Sequence, residues 1–132
     1  MNDLEGRKEE HVKISLEGEP YSKGITTGFE DVHLIHEALS DLDLDEVDVS
    51  YSFEGKRISF PLIISSMTGG FPGAKEINRK LAKVAEQFRI PMGIGSVRAG
   101  LSSSSLRETY TVVREVAPST PIISNIGIQQ LR

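Results

Sequence analysis

The sequence predicts an α/β protein whose second half runs β-α-β-α-β with parallel strands. Three observations carry this. Apolar runs open at Pro61 ("PLIISSMTGG"), Pro91 ("PMGIGSVR") and Pro121 ("PIISNIGIQQ"), thirty residues apart twice, about the length of one βα unit. The segments between them carry apolar residues at helical period. Each run also ends in a cluster of hydroxyl, amide and glycine residues. Residues 61–132 are therefore read as successive βα units and residues 1–60 as an N-terminal arm with an entry hairpin, all in one unit.

The elements follow in order. "RKEEHVKI" reads as a short helix or an arm, and residues 18–44 as mostly loop, with weak periodicity. "VDVSYSF" and "RISFPLII" flank Glu54-Gly55-Lys56, which predicts a hairpin feeding the first repeat strand. A proline can open each strand because its missing N–H need not enter the ladder. From Ala74, the residues Ile77, Leu81, Val84, Ala85 and Phe88 form a helical stripe opposite Lys75, Glu76, Arg79, Lys80, Lys83 and Glu86. In the next unit Leu106, Tyr110, Val113 and Ala117 repeat it. Ser105 with Glu108 predicts a capping box, and Pro118 the stop. Such units pair their strands in parallel through right-handed crossovers. Three strands leave an edge bare and "GIQQLR" offers no helix to cover the last one. The expectation is the front part of a larger domain, with completion by a partner chain as the alternative.

Composition narrows the function. The chain has 132 residues, 38% hydrophobic and 26% charged, as in ordinary globular domains. A formal net charge of −4 gives no general basic footprint for nucleic acid. There is no cysteine, which excludes disulfides, thiolate zinc sites and Cys nucleophiles and fits a cytoplasmic location. The charged opening "MNDLEGRKEEHVKI" is no signal peptide, and no apolar run approaches the roughly 20 residues that span a bilayer.

In parallel α/β architecture, ligands bind at the carboxyl ends of the strands. Three clusters occupy that place: Ser66-Met67-Thr68-Gly69-Gly70, Gly95-Ser96-Val97-Arg98 and Ser124-Asn125-Ile126-Gly127. Hydroxyls and the Asn125 amide donate and accept, glycines admit close approach, and Arg98 offers a planar fork suited to diphosphate. Each cluster alone reads as a turn; three at matching repeat positions point to one site. Arg7 and His11, at i and i+4 with Lys8 beside them, form a second candidate grip for an anion on a helix; the alternative is a solvated arm. "DLDLDEVDVSYS" lacks the glycine and final glutamate of a calcium loop, and "GGFPGAK" lacks the GK[ST] of a Walker loop. His33 and His36 have no evident third ligand, so no metal site is assigned.

Taken together, Arg7-Lys8-x-x-His11, Met67-Thr68-Gly69-Gly70, Gly95-Ser96-x-Arg98 and Asn125-x-Gly127 with Gln130-Leu131 resemble the type 2 isopentenyl-diphosphate isomerases, over essentially the whole chain. The resemblance implies the N-terminal part of a (β/α)8 TIM barrel, about three βα strands plus an N-terminal extension. It implies an FMN-dependent enzyme that needs Mg2+ and a reduced flavin maintained by NADPH. Such an enzyme interconverts isopentenyl diphosphate and dimethylallyl diphosphate as a homo-oligomer, tetrameric or octameric. Carried over, Ser66, Met67, Thr68, Gly69, Ser96 and Asn125 contact the flavin, and Arg7, Lys8, His11, Ser96, Val97 and Arg98 serve the substrate. No side chain is implied as catalytic, since reduced FMN carries the chemistry. Val97 stands where the family usually has Gln. The residues that hold Mg2+ and the flavin phosphate lie in later motifs, so the 132-residue chain alone is expected to be inactive. The alternatives are a non-catalytic module needing other chains and another FMN-dependent TIM-barrel enzyme.

Overall fold

Each proline-led run enters one parallel ladder. A computed structural model of the chain describes residues 3–18 and 23–131. Ile64 bridges Met92, and strand β3 (Met92–Gly93) pairs in parallel with β4 (Ile122–Ile123), Met92 opposite Ile122. Pro91 and Pro121 take part through their carbonyls. Ile64 N–H donates to Pro91 O at 3.0 Å and Met92 N–H to Pro121 O at 3.0 Å. A proline at a strand start thus costs the ladder nothing. The sheet is open, and no closed barrel forms among the described residues.

The entry hairpin is present as predicted. Strand β1 (Tyr51–Phe53) pairs antiparallel with β2 (Lys56–Ile58). Glu54 and Gly55 both have positive φ (48° and 74°), the turn whose twist suits a two-residue hairpin. Ser59 N–H then bonds Arg89 O at 3.1 Å, which places the chain beside the start of β3. The arm is a helix, α1 (Asp3–Glu17). Residues 23–49 are mostly loop with two short 3-10 turns; positions 19–22 of the predicted loop lie outside the described residues.

Helices α2 (Ala74–Phe88) and α4 (Glu108–Val116) pack together and on the sheet. The core joins Ala82 and Ala85 to Ile90, Met92, Ile94, Tyr110, Val112, Val113 and Ala117. The α4 stripe is buried as read, but the α2 stripe is rotated. Val84 and Phe88 are 43% and 49% exposed, while Ala74, Asn78, Ala82 and Ala85 are fully buried. Small side chains win this face because α2 lies close against α4, and close packing leaves no room for Phe.

The capping box does not form. Ser104–Leu106 makes a 3-10 turn, Ser105 Oγ pairs with Ser103 Oγ at 2.8 Å, and Glu108 reaches Lys75 instead. A short helix, α3 (Arg98–Ser102), was not read from the sequence. Helix α4 does stop before Pro118, and Arg114 Nη1 donates to the carbonyls of Ala117, Pro118 and Thr120 beyond its end. On the far side of that turn Glu86 accepts from the hydroxyls of Ser119 and Thr120, which holds its carboxyl below the usual range.

Much surface stays in water. The chain exposes 10308 Å², against about 6,900 Å² for a compact protein of this mass. No described helix is long and apolar enough to cross a membrane. The centre of the fold is Met92, 1% exposed on the middle strand. Met92→Ala is expected to cost about 2–5 kcal/mol, measured as the loss of unfolding free energy in urea; a loss under about 1 kcal/mol would place the core elsewhere.

Candidate functional site

Beyond the strands, the ladder continues into the three polar clusters. Gly95 N–H donates to Thr68 O at 2.9 Å, and Val97 N–H donates to Asn125 O at 3.0 Å. These bonds bring the ends of all three runs to one rim. The glycines make it tight. A Cβ on Gly93 would overlap Ser66 Oγ, and one on Gly95 would sit 2.5 Å from Met67 O. Any larger residue at either position would push the first cluster off the second.

A buried brace lies behind the rim. The Asn78 amide on α2 donates from Nδ2 to Thr68 O at 3.2 Å and to Thr109 O at 2.7 Å. Gly70 N–H donates to Thr109 Oγ1 at 3.0 Å, and that hydroxyl donates to Leu106 O at 2.6 Å. Asn78 Oδ1 has no partner among the described residues. An unpaired buried acceptor is costly, so the two bonds that Nδ2 makes must outweigh it.

Helix α1 closes the site from above. Lys8 Nζ donates to Ser96 O at 2.9 Å and to Tyr110 Oη at 2.9 Å; Tyr110 Oη donates to Ser96 O at 2.8 Å. Ser15 Oγ lies 3.6 Å from Met67 Sδ. Burial lowers the Lys8 ammonium pKa from its ordinary value and pushes the Tyr110 phenol up to about 12. The phenol therefore keeps its proton to donate.

Between helix and rim is a pocket of about 270 Å³, lined by Arg7, Lys8, His11, Ser66, Met67, Gly95, Ser96 and Asn125. Three potential cations face two hydroxyls and an amide, and among the described residues no carboxylate lines the cavity. Such a cavity attracts an anion and supplies hydrogen bonds to the polar edge of a second group.

The structure thus gathers seven of the predicted residues: Arg7, Lys8, His11, Ser66, Met67, Ser96 and Asn125. Four others stand off the lining. Thr68 is buried behind the rim, where its carbonyl serves Gly95 and Asn78. Gly69 makes room for the Tyr110 ring, which a Cβ would overlap. Val97 packs on the core, and Arg98 is exposed at the start of α3. Sequence reading missed Asn78, Thr109 and Tyr110 as supports. One signal was available: Asn78 is a lone amide in line with Ala74, Ala82 and Ala85, at helical spacing. A second cleft, about 320 Å³, lies by the strand starts and is lined by Lys56, Arg57, Arg89, Ser119, Thr120 and Pro121. Lys56 there is bound to Ser119 O and Arg57 to Asp48, and none of the three clusters reaches it.

Isopentenyl-diphosphate delta-isomerase of Chlorobium phaeovibrioides is 47% identical over 130 residues, 98% of this chain and 37% of that protein. The enzyme of the same name from Archaeoglobus fulgidus is 49% identical over 125 residues, 95% of this chain and 36% of its own length. The chain is a homologue of part of the isopentenyl-diphosphate delta-isomerases. The Halobacterium salinarum isomerase adds 48% identity over 130 residues. The chain spans about a third of the length of these curated isomerases. No protein-family model matches the chain.

Two outcomes test this geometry. Gly70 has φ 82°, and a Cβ there would lie 2.5 Å from Tyr110 Oη and 2.7 Å from Lys8 Nζ. Gly70→Ala should destabilise by roughly 1–3 kcal/mol from overlap alone, read in urea unfolding; an unaffected variant would show that the loop has slack. The second outcome concerns pH. The folded phenol of Tyr110 titrates at about 12, above its ordinary 10. Its contribution to stability is complete below pH 10 and is lost as pH rises toward 12. Urea midpoints should fall over that interval, and fall less in Tyr110→Phe; identical alkaline limbs would remove Tyr110 as the cause.

Proposed function

We propose that this chain supplies the diphosphate grip and one edge of the flavin site in an FMN-dependent isopentenyl-diphosphate isomerase, and that it forms the N-terminal part of that enzyme's (β/α)8 barrel. The observation that carries this reading is the single pocket in which Arg7, Lys8 and His11 of α1 meet Ser66, Met67, Ser96 and Asn125 of the strand ends. The names of the homologous isomerases support the substrate, isopentenyl diphosphate; shifting its double bond by one position gives dimethylallyl diphosphate.

The residues fit the two ligands differently. Arg7, Lys8 and His11 suit a diphosphate, the first as a planar fork and the second as a point charge. Arg98 reaches the diphosphate from the rim in this reading, and Val97 contributes only backbone. Ser66, Ser96 and Asn125 suit the polar edge of an isoalloxazine ring, with Met67 as its apolar contact. Thr68 and Gly69 support that edge from behind. For Mg2+ there is no fit: no group of three His, Asp or Glu side chains able to hold a metal occurs among the described residues. The same reading makes NADPH the source of reducing equivalents and gives the complete enzyme a homo-oligomeric state and a cytoplasmic location.

Shifting a double bond requires a proton gained at one carbon and another lost two carbons away. When bound, reduced FMN supplies that proton chemistry. The chain's part is to hold the diphosphate with cations, to hold the flavin edge with hydroxyls and an amide, and to close the space with α1.

A chimera tests this reading. The chain replaces the matching third of the Archaeoglobus fulgidus isomerase, and flavin content and isomerisation are measured. The expected result is a flavin-loaded, active chimera in which Arg7→Ala raises KM about tenfold or more, the size of one lost charge-assisted contact. A folded, flavin-loaded chimera without isomerisation would defeat the proposal. So would an Arg7→Ala variant with unchanged KM.

A further inference from the structure

We propose that Tyr110 is the positioning residue that seats α1 over the pocket, through a closed triangle with Lys8 and the Ser96 carbonyl. The ligand consequence rests on the diphosphate reading above; the seating itself does not. All three sides of the triangle are hydrogen bonds: Lys8 Nζ to Tyr110 Oη at 2.9 Å, Tyr110 Oη to Ser96 O at 2.8 Å, and Lys8 Nζ to Ser96 O at 2.9 Å. The ammonium also stands 5.5 Å from the Tyr110 ring centroid, within range of a cation–π attraction.

The ring cannot drift. It fills space that three glycines leave open. A Cβ on Gly69 would overlap its edge, one on Gly70 would lie 2.5 Å from its oxygen, and one on Gly100 would lie 2.9 Å from Cε2. Tyr110 is 7% exposed. A wedged ring fixes its hydroxyl in space, and that hydroxyl fixes Lys8.

The latch matters because, among the described residues, little else holds the helix. Among the described side chains of α1, Ile14 and Leu16 are 46% and 80% exposed and Val12 is half-buried, so these three contribute little burial. Among the described residues, the side-chain hydrogen bonds that leave α1 for the rest of the chain are the two from Lys8 and the Ser15–Met67 contact. Sulfur is a weak acceptor, so the Lys8 bonds dominate. Two of the three ammonium protons are thereby committed. Arg7 and His11 line the same pocket with no side-chain bond to a described residue, and with the one remaining Lys8 proton they are left to meet a ligand.

The test is Tyr110→Phe in the full chain, which keeps the wedge and removes the hydroxyl. Amide hydrogen exchange is followed separately in α1 and α2, and inorganic diphosphate is titrated by calorimetry. The expected result is about tenfold faster exchange in α1, unchanged exchange in α2 and about tenfold weaker diphosphate binding, in line with one lost bond to a charged group. In a Lys8→Met background the same substitution should change α1 exchange no further, because the two act as a unit. Unchanged α1 exchange in Tyr110→Phe overturns the proposal, as does equal loosening of α1 and α2, which would make Tyr110 a core residue only. If α1 loosens selectively but the wild-type chain ignores diphosphate, the latch stands and the diphosphate reading falls.

Discussion

One buried amide keeps the rim in register. Asn78 reaches from α2 to the Thr68 carbonyl at the end of the first run and to the Thr109 carbonyl at the start of α4. Thr68 O also receives Gly95 N–H from the second run. Three hydrogen bonds on two carbonyls therefore tie the first run, the second run, α2 and α4 together. Because the amide is fully buried, no water competes for these bonds, and breaking them would leave polar groups stranded. The hydroxyls of Ser66 and Ser96 and the Asn125 amide face one cavity only while this brace holds.

The division of labour within the site follows. Strand ends and their glycines hold the clusters close together, since Gly93 and Gly95 leave no room for a side chain. Charge comes from elsewhere. Arg7, Lys8 and His11 are all carried on α1, the N-terminal arm that lies across the rim, and Tyr110 converts that loose helix into a fixed wall. A rigid floor with a separately docked cationic lid suits a substrate that has an apolar tail and a highly charged head.

How much of this could be read from the sequence differs by feature. The strands and their order were legible because prolines and a thirty-residue spacing mark them regardless of packing. The rim was legible because its hydroxyls, amide and glycines fall where parallel strands end. The arm's Arg7, Lys8 and His11 were legible as a helical face, though not where that face would land. The orientation of α2 was not legible: large apolar residues ordinarily mark the buried side, and here Val84 and Phe88 face outward because alanines permit closer helix packing. The Ser105–Glu108 box failed for a related reason. Thr109, one residue further on, is drawn inward by Gly70 and Leu106, which starts the helix later. Gly69 and Gly70 were read as space for a ligand. The tenant is the Tyr110 ring, and only coordinates reveal which of two flat groups occupies a gap.

The long loop before the hairpin carries a thermodynamic signature. Residues 29–49 are exposed throughout, with Leu34, Ile35, Leu39 and Leu44 between 87% and 97% accessible. Apolar groups already hydrated in the native state add almost nothing to the heat-capacity increment of denaturation, and nothing to the steepness of a denaturant titration. Both quantities scale with newly wetted surface rather than with chain length. Calorimetry on this polypeptide would therefore weigh the helix–sheet body that holds the pocket and be nearly blind to the loop.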